Sequence, residues 1–177
     1  MDTLTLVTWN LLGSQGVDIG LVAEVIGDVS PDAVALQEVQ RTQSQGLAER
    51  LGWSVRWAFK HWPVRTRSEG MAVLTPHVLG DVSPFVVQPA APWSWRRRIA
   101  IDATVVREGR PWRVINVHLS PHDAHGLRSD ETNRVLERSS MAAPIIAGDL
   151  NERPGGPAAE LLHTAGWRDA WASAHPG

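Results

Sequence analysis

Glu38, His118, Asp149 and Asn151 are the residues of this sequence best suited to chemistry, and each stands at or beside the end of an apolar run. Carboxylates, an imidazole and an amide can together hold a hard cation, move a proton and hydrogen-bond an oxyanion. In GDLN, Asp149 and Asn151 lie two residues apart just past the short apolar run PIIA, so both side chains can point to one side. His118 sits between Val117 and Leu119 in NVHL, Glu38 closes DAVALQEV, and Asn10 follows the apolar run that starts at Leu4. Taken singly, each also has a purely structural reading. Asn10 can be a turn former, Glu38 a solvated strand end, His118 a core histidine satisfied by one hydrogen bond, and GDLN an Asx turn.

The composition narrows the chemistry. There are no cysteines, so thiolate metal sites, disulfides and a cysteine nucleophile are excluded. A metal would have to be held by oxygen or imidazole, which favours Mg2+ or Mn2+. A net charge of -2 gives no general basic footprint for nucleic acid, although it leaves room for a local basic groove. With 177 residues and 43% hydrophobic content, one domain spanning residues 1–177 is expected. No stretch approaches the roughly 20 apolar residues of a membrane span, and MDTLTLVTWN lacks the features of a signal peptide. A cytoplasmic location is the expectation. Nine tryptophans beside two phenylalanines and no tyrosine form an unusual aromatic balance to which no function attaches.

The elements that must position these residues follow from periodicity. Leu4 to Trp9 reads as a strand delivering Asn10 to a loop, and Val17, Leu21, Val22, Val25, Ile26 and Val29 recur at helical spacing. Asp32 to Val39 reads as an apolar strand, followed by a short helix with Thr42 and Gln45 as a capping box and Gly52 as its stop. Strands are predicted over Trp53 to Phe59, Gly70 to Thr75, Val82 to Val87, Arg98 to Val106 and Trp112 to Leu119, the last two joined through Glu108, Gly109 and Arg110. A charged helix over Leu127 to Arg138, the buried strand Pro144 to Ala147 and a short helix ending near Gly166 complete the order. Many strands with helices spread along the chain imply packed sheets flanked by helices.

Five motifs in order carry a resemblance: TWN at Thr8–Asn10, LQEV at Leu36–Val39, SEGMAVLTP at Ser68–Pro76, NVHL at Asn116–Leu119 and AGDLN at Ala147–Asn151. They resemble the successive signatures of the endonuclease/exonuclease/phosphatase family over nearly the whole chain. The resemblance implies an α+β fold, a four-layer α/β/β/α sandwich of two packed mixed sheets, and a divalent-metal-dependent phosphoesterase. It implies Glu38 as the principal metal ligand with Asn10 beside it. Asp149 would orient and deprotonate the attacking water near the metal, with Asn151 holding water or a phosphoryl oxygen. His118 would contact the scissile phosphate, oriented by Glu69. Arg168, Asp169, Ala170 and Trp171 resemble a DAW segment that marks structure more than catalysis.

The pattern also departs from the family's. Its members end in a further aspartate and a serine-aspartate-histidine motif, whereas this sequence ends at His175, Pro176 and Gly177, and neither His163 nor His175 lies in that context. The expectation is a C-terminally truncated or naturally short domain with an uncovered sheet edge, weakly active or inactive unless a partner or a second copy covers that edge by self-association. Leu12 stands where abasic-site endonucleases tend to carry aspartate. Lys60, His61 and Arg67 are candidates for phosphate contact, and surface positions are the simpler reading of each.

Trp93 and Trp95 precede Arg96, Arg97 and Arg98, an interleaving that suits a single strand or a phosphate as well as it suits a solvated edge strand. His122, Asp123 and His125 form a polar loop near the expected site. The expected partner is a phosphate-ester substrate, with nucleic acid slightly favoured. The alternatives are a lipid or small-molecule phosphatase or phospholipase-like hydrolase, and a non-catalytic fragment that binds metal or a partner.

Overall fold

The structure is a computed structural model that describes residues 3–61, 69–90, 97–121, 126–140 and 144–175. Its first half is a β-α-β-α unit completed by two strands. Strand β1 (Leu6–Asn10) pairs in parallel with β2 (Ala33–Gln40), and α1 (Ile19–Val29) crosses between them. Asp18 starts that helix by accepting from the backbone N–H groups of Gly20 at 2.8 Å and Leu21 at 3.3 Å. Val22, Ala23 and Ile26 form its buried stripe.

Helix α2 (Arg41–Leu51) begins earlier than the Thr42–Gln45 box predicts. Gln43 closes the turn instead, its Oε1 accepting from the Gln40 N–H at 2.9 Å. The shift has a tertiary cause: the Gln40 and Gln43 amides both donate to the carbonyl of Gly13, at 3.2 and 2.9 Å. Gly52 ends the helix at φ 69°, as expected. Strands β3 (Ser54–His61) and β4 (Glu69–Thr75) then complete a sheet of order β1-β2-β4-β3.

The second sheet has the order β5-β6-β7-β8, from β5 (Val78–Gln88), β6 (Arg98–Arg107), β7 (Arg110–His118) and β8 (Ile145–Asp149). β6 and β7 form the predicted hairpin through Glu108 at φ 51° and Gly109 at φ 77°, the positive pair of a tight two-residue turn. β8 runs parallel to β7 after the crossover through α3 (Leu127–Ser139). α4 (Pro157–Thr164) and α5 (Ala170–Ala174) follow. Glu152 accepts from the first amides of α4, Ala158 at 2.7 Å and Ala159 at 3.1 Å, and Asp169 of the DAW segment caps α5.

Three apolar clusters stack the layers. Ile26, Leu36, Leu47 and Leu74 join α1 and α2 to the first sheet, and Ala100, Ile115, Val117, Val135 and Ala158 join α3 and α4 to the second. Ala58, Met71, Val73, Ile99, Ile101 and Ala103 fill the space between the sheets. The result is the expected four-layer α/β/β/α sandwich of two mixed four-stranded sheets. Among the described residues no helix is long and apolar enough to cross a membrane.

Candidate active site

The C-terminal ends of β1, β2, β7 and β8 meet at one end of the sandwich and carry Asn10, Glu38, His118 and Asp149. Glu38 stands on a bulge in β2, where Gln37 and Glu38 together oppose Met71 of β4. Its backbone lies in the left-handed region at φ 51°, a conformation that costs a non-glycine residue about 1–2 kcal/mol. The bulge interrupts the ladder and turns the Glu38 carboxylate toward the second sheet. Its Oε1 is 3.6 Å from Nε2 of His118.

Asn116 fills the gap that the bulge leaves. Fully buried, it donates from Nδ2 to the carbonyls of Leu36 and Ala72, both at 3.0 Å, and its Oδ1 accepts from Gln37 Nε2 at 2.8 Å. Asn116 and His118 share one face of β7. The first anchors the strand to the opposite sheet, and the second reaches the site.

Asp149 is held from two sides. Oδ1 accepts from the backbone N–H of Asn151 at 2.8 Å, and Oδ2 accepts from Nδ2 of Asn10 at 3.0 Å. The Asx turn read from GDLN is therefore present, and it aims the carboxylate. Asp149 Oδ2 is 3.9 Å from His118 Nε2, so that nitrogen faces one carboxylate from each sheet. Asn151 takes φ 50° and donates from Nδ2 to the Leu119 carbonyl at 2.9 Å. Gly148, at φ 142°, lets the strand approach β7; a Cβ there would lie 2.0 Å from the Val117 carbonyl oxygen.

Glu69 begins β4 on the same end of the fold, where its Oε1 is 2.9 Å from Nζ of Lys60. Lys60 Nζ is also 3.1 Å from Nδ1 of His118. The surface reading of Lys60 is corrected here, because the residue is only 1% exposed. In β3, Ser54, Arg56, Ala58 and Lys60 share one face, but the second sheet covers only its C-terminal half. Parity with Ala58 was the available signal. Arg97, read with the tryptophan-arginine stretch, turns back onto β3, donating to the carbonyls of Lys60 at 3.1 Å and Phe59 at 3.2 Å. Trp93, Trp95, Arg96, Arg67, His122, Asp123, His125 and the side chain of His61 lie outside the described residues.

The donor set suits a hard cation. Glu38 and Asp149 are partly exposed, with side chains 21% and 30% accessible, and offer oxygen alone. No group of three or more histidine, aspartate or glutamate side chains among the described residues forms a ready cage. Magnesium has little need of one, since it is commonly bound through one or two carboxylates while water and substrate phosphate complete its shell.

The two-sheet sandwich thus gathers two carboxylates, an imidazole and two amides at its strand ends. The chain belongs to the endonuclease/exonuclease/phosphatase family, whose sequence profile matches residues 7–177. Members of that family are generally divalent-metal-dependent nucleases and phosphatases. Among solved structures, an endonuclease/exonuclease/phosphatase from Beutenbergia cavernae is 24% identical with a TM-score of 0.75, over 95% of this chain and 55% of that one. A mannosyl-6-phosphatase from Bacteroides thetaiotaomicron is 15% identical with a TM-score of 0.72, over 93% of this chain and 71% of that one. TDP2 from D. rerio, in complex with a single-strand DNA product, is 16% identical with a TM-score of 0.70, over 94% of this chain and 66% of that one. At these identities the likeness is one of fold. No match was found among curated proteins.

Proposed function

We propose that the chain hydrolyses phosphate esters by in-line attack of water in a reaction dependent on Mg2+ or Mn2+, with a nucleic-acid phosphodiester as the favoured substrate. The observation that carries this reading is the convergence of Glu38 and Asp149, from different sheets, on Nε2 of one buried histidine. Asp149, fixed by Asn10 and by the Asn151 backbone, is the group to align water and take its proton. Asn151 steadies that water or a phosphoryl oxygen, and His118 hydrogen-bonds the phosphoryl group. Glu38, with Asn10 and Asp149, would hold the ion, which when bound would supply neutralisation of charge on the non-bridging oxygens. Support for nucleic acid comes from the tryptophan-arginine interleaving at residues 93–98 and from the DNA product seen with the D. rerio neighbour. Support for a phosphomonoester comes from the net charge of -2 and from the mannosyl-6-phosphatase neighbour.

The test is a substrate panel with added Mg2+ or Mn2+: plasmid, abasic and single-stranded DNA, RNA, sphingomyelin and nitrophenyl phosphate esters. Activity is expected on a nucleic acid, lost with a chelator and lost in Glu38→Ala and Asp149→Ala. Turnover that survives both substitutions, or that needs no metal, overturns the mechanism. Turnover of monoesters alone moves the assignment to a phosphatase, and turnover of sphingomyelin alone moves it to a lipid hydrolase.

A further inference from the structure

Lys60, a candidate for phosphate contact in the sequence, heads the large side chains that the fold buries completely, and the mechanism proposed above does not use it. Its ammonium lies between a carboxylate and an imidazole, 2.9 Å from Glu69 Oε1 and 3.1 Å from His118 Nδ1. The Arg97 hydrogen bonds to the carbonyls of Lys60 and Phe59 hold the end of β3 in place. Burying an ammonium is unfavourable unless its protons find acceptors. Burial and the charge of Arg98 lower the Lys60 pKa from its ordinary value, while the carboxylates of Glu69 and Glu38 work the other way. Beside Glu69, Lys60 serves as a donor.

An ammonium has protons to give and no lone pair to receive one. His118 Nδ1 is then the acceptor, and a neutral imidazole that accepts at Nδ1 carries its proton at Nε2. We propose that Lys60 is a positioning residue that fixes His118 as the Nε2–H tautomer, so that the ring presents a hydrogen-bond donor to the space between Glu38 and Asp149. A carboxylate placed directly on Nδ1 would draw the proton to that nitrogen and leave a lone pair at Nε2. The interposed lysine reverses the polarity of the ring. With Nε2 protonated, His118 is not a metal ligand, and it meets a phosphoryl oxygen as a donor. That last role rests on the phosphoesterase reading; the tautomer does not.

The experiment is a long-range 15N–1H correlation spectrum of the full chain with 15N-labelled histidine at neutral pH, with His118 assigned by its loss in His118→Asn. The expected result is an unprotonated signature at Nδ1 and a protonated one at Nε2. The opposite tautomer, or protons on both nitrogens, overturns the proposal. In Lys60→Met the pattern is expected to be lost, and in Lys60→Arg, which keeps a donor, to be retained; an unchanged pattern in Lys60→Met also overturns it. If Lys60→Met does not fold, the wild-type spectrum decides. Where activity is measurable, Lys60→Met should lower kcat by about 10-fold or more with KM little changed, and Lys60→Arg should recover part of it. Because the spectrum needs no turnover, failure of the substrate panel beside the expected tautomer counts against the phosphoesterase reading alone and leaves the role of Lys60 standing.

Discussion

The Asn10 amide donates a 3.0 Å hydrogen bond to Oδ2 of Asp149, a residue 139 positions away, and so ties β1 of one sheet to β8 of the other. The bond spends the amide N–H on the carboxylate, while Asn10 Oδ1 accepts from the Leu12 N–H at 3.1 Å. Asn10→Ala removes this brace and leaves the Asp149 carboxylate held through Oδ1 by the Asn151 N–H, with Oδ2 unanchored by Asn10. The expected outcome is a fall in kcat of about 10- to 100-fold together with a higher Mg2+ requirement. Steady-state rates across a Mg2+ titration check it, and rates that match the wild type at every concentration refute it.

Glu38 combines a left-handed backbone with a partly buried carboxylate that faces Asp149 across His118. Glycine adopts that backbone freely. Glu38→Gly should therefore raise the unfolding free energy by about 1 kcal/mol while abolishing activity. Denaturant unfolding measures the first and the substrate panel the second. A variant less stable than the wild type contradicts the claim that the bulge stores strain.

Asn116 spans the two sheets with one side chain and donates to two carbonyls beside the bulge. Asn116→Leu fits a similar volume but removes the hydrogen bonds to both carbonyls, while the Gln37 amide keeps Thr8 and Ala35 as acceptors. Destabilisation of about 2–4 kcal/mol is expected. The midpoint of urea unfolding reports it, and a midpoint equal to the wild type would show the polar staple to be dispensable.

Asp102 receives Arg113 through two hydrogen bonds of 2.8 Å and Arg138 through one of 2.9 Å, which secures α3 to the second sheet. Burial pushes the carboxyl upward, yet the hydrogen bonds and charges of Arg113 and Arg138 outweigh it and hold the pKa below the ordinary 3.8. A folded pKa below the unfolded one means stabilisation that is fully present above the unfolded value and is lost as pH falls through the folded value. Asp102→Asn should be less stable than the wild type at neutral pH, by roughly 1–3 kcal/mol. The difference should narrow as the solution is acidified below the ordinary aspartate range. Paired urea titrations across pH test this, and a gap that widens on acidification has the wrong sign for the proposed pairing.

Much of the fold was legible because each layer imposes its own period. The PIIA run before GDLN and the helical spacing of Val22, Val25, Ile26 and Val29 placed β8 and α1 to within a few residues. α2 was misplaced at its start because its cap is assembled with the Gly13 carbonyl, which a local reading of Thr42 to Gln45 does not contain. The motif residues of the site were legible as types at strand ends. Their meeting was not, since it depends on a bulge at Glu38 and on which sheet each strand joins. Lys60 was misread for a related reason. It shares a face with the exposed Arg56, and only the extent of the second sheet makes one position wet and the other dry.

The chain passes from the first sheet to the second once, between Thr75 and Val78. Asn10, Glu38, Lys60 and Glu69 precede that crossing, and His118, Asp149 and Asn151 follow it. During synthesis the ribosome therefore releases one set of candidate site residues well before the other exists, and neither half contains them all. A break placed in the turn at residues 76–77 would yield two inert pieces, each with its own helices and a sheet face seeking the other. Recovery of the complete centre would then report, in a single signal, that the two pieces had found each other.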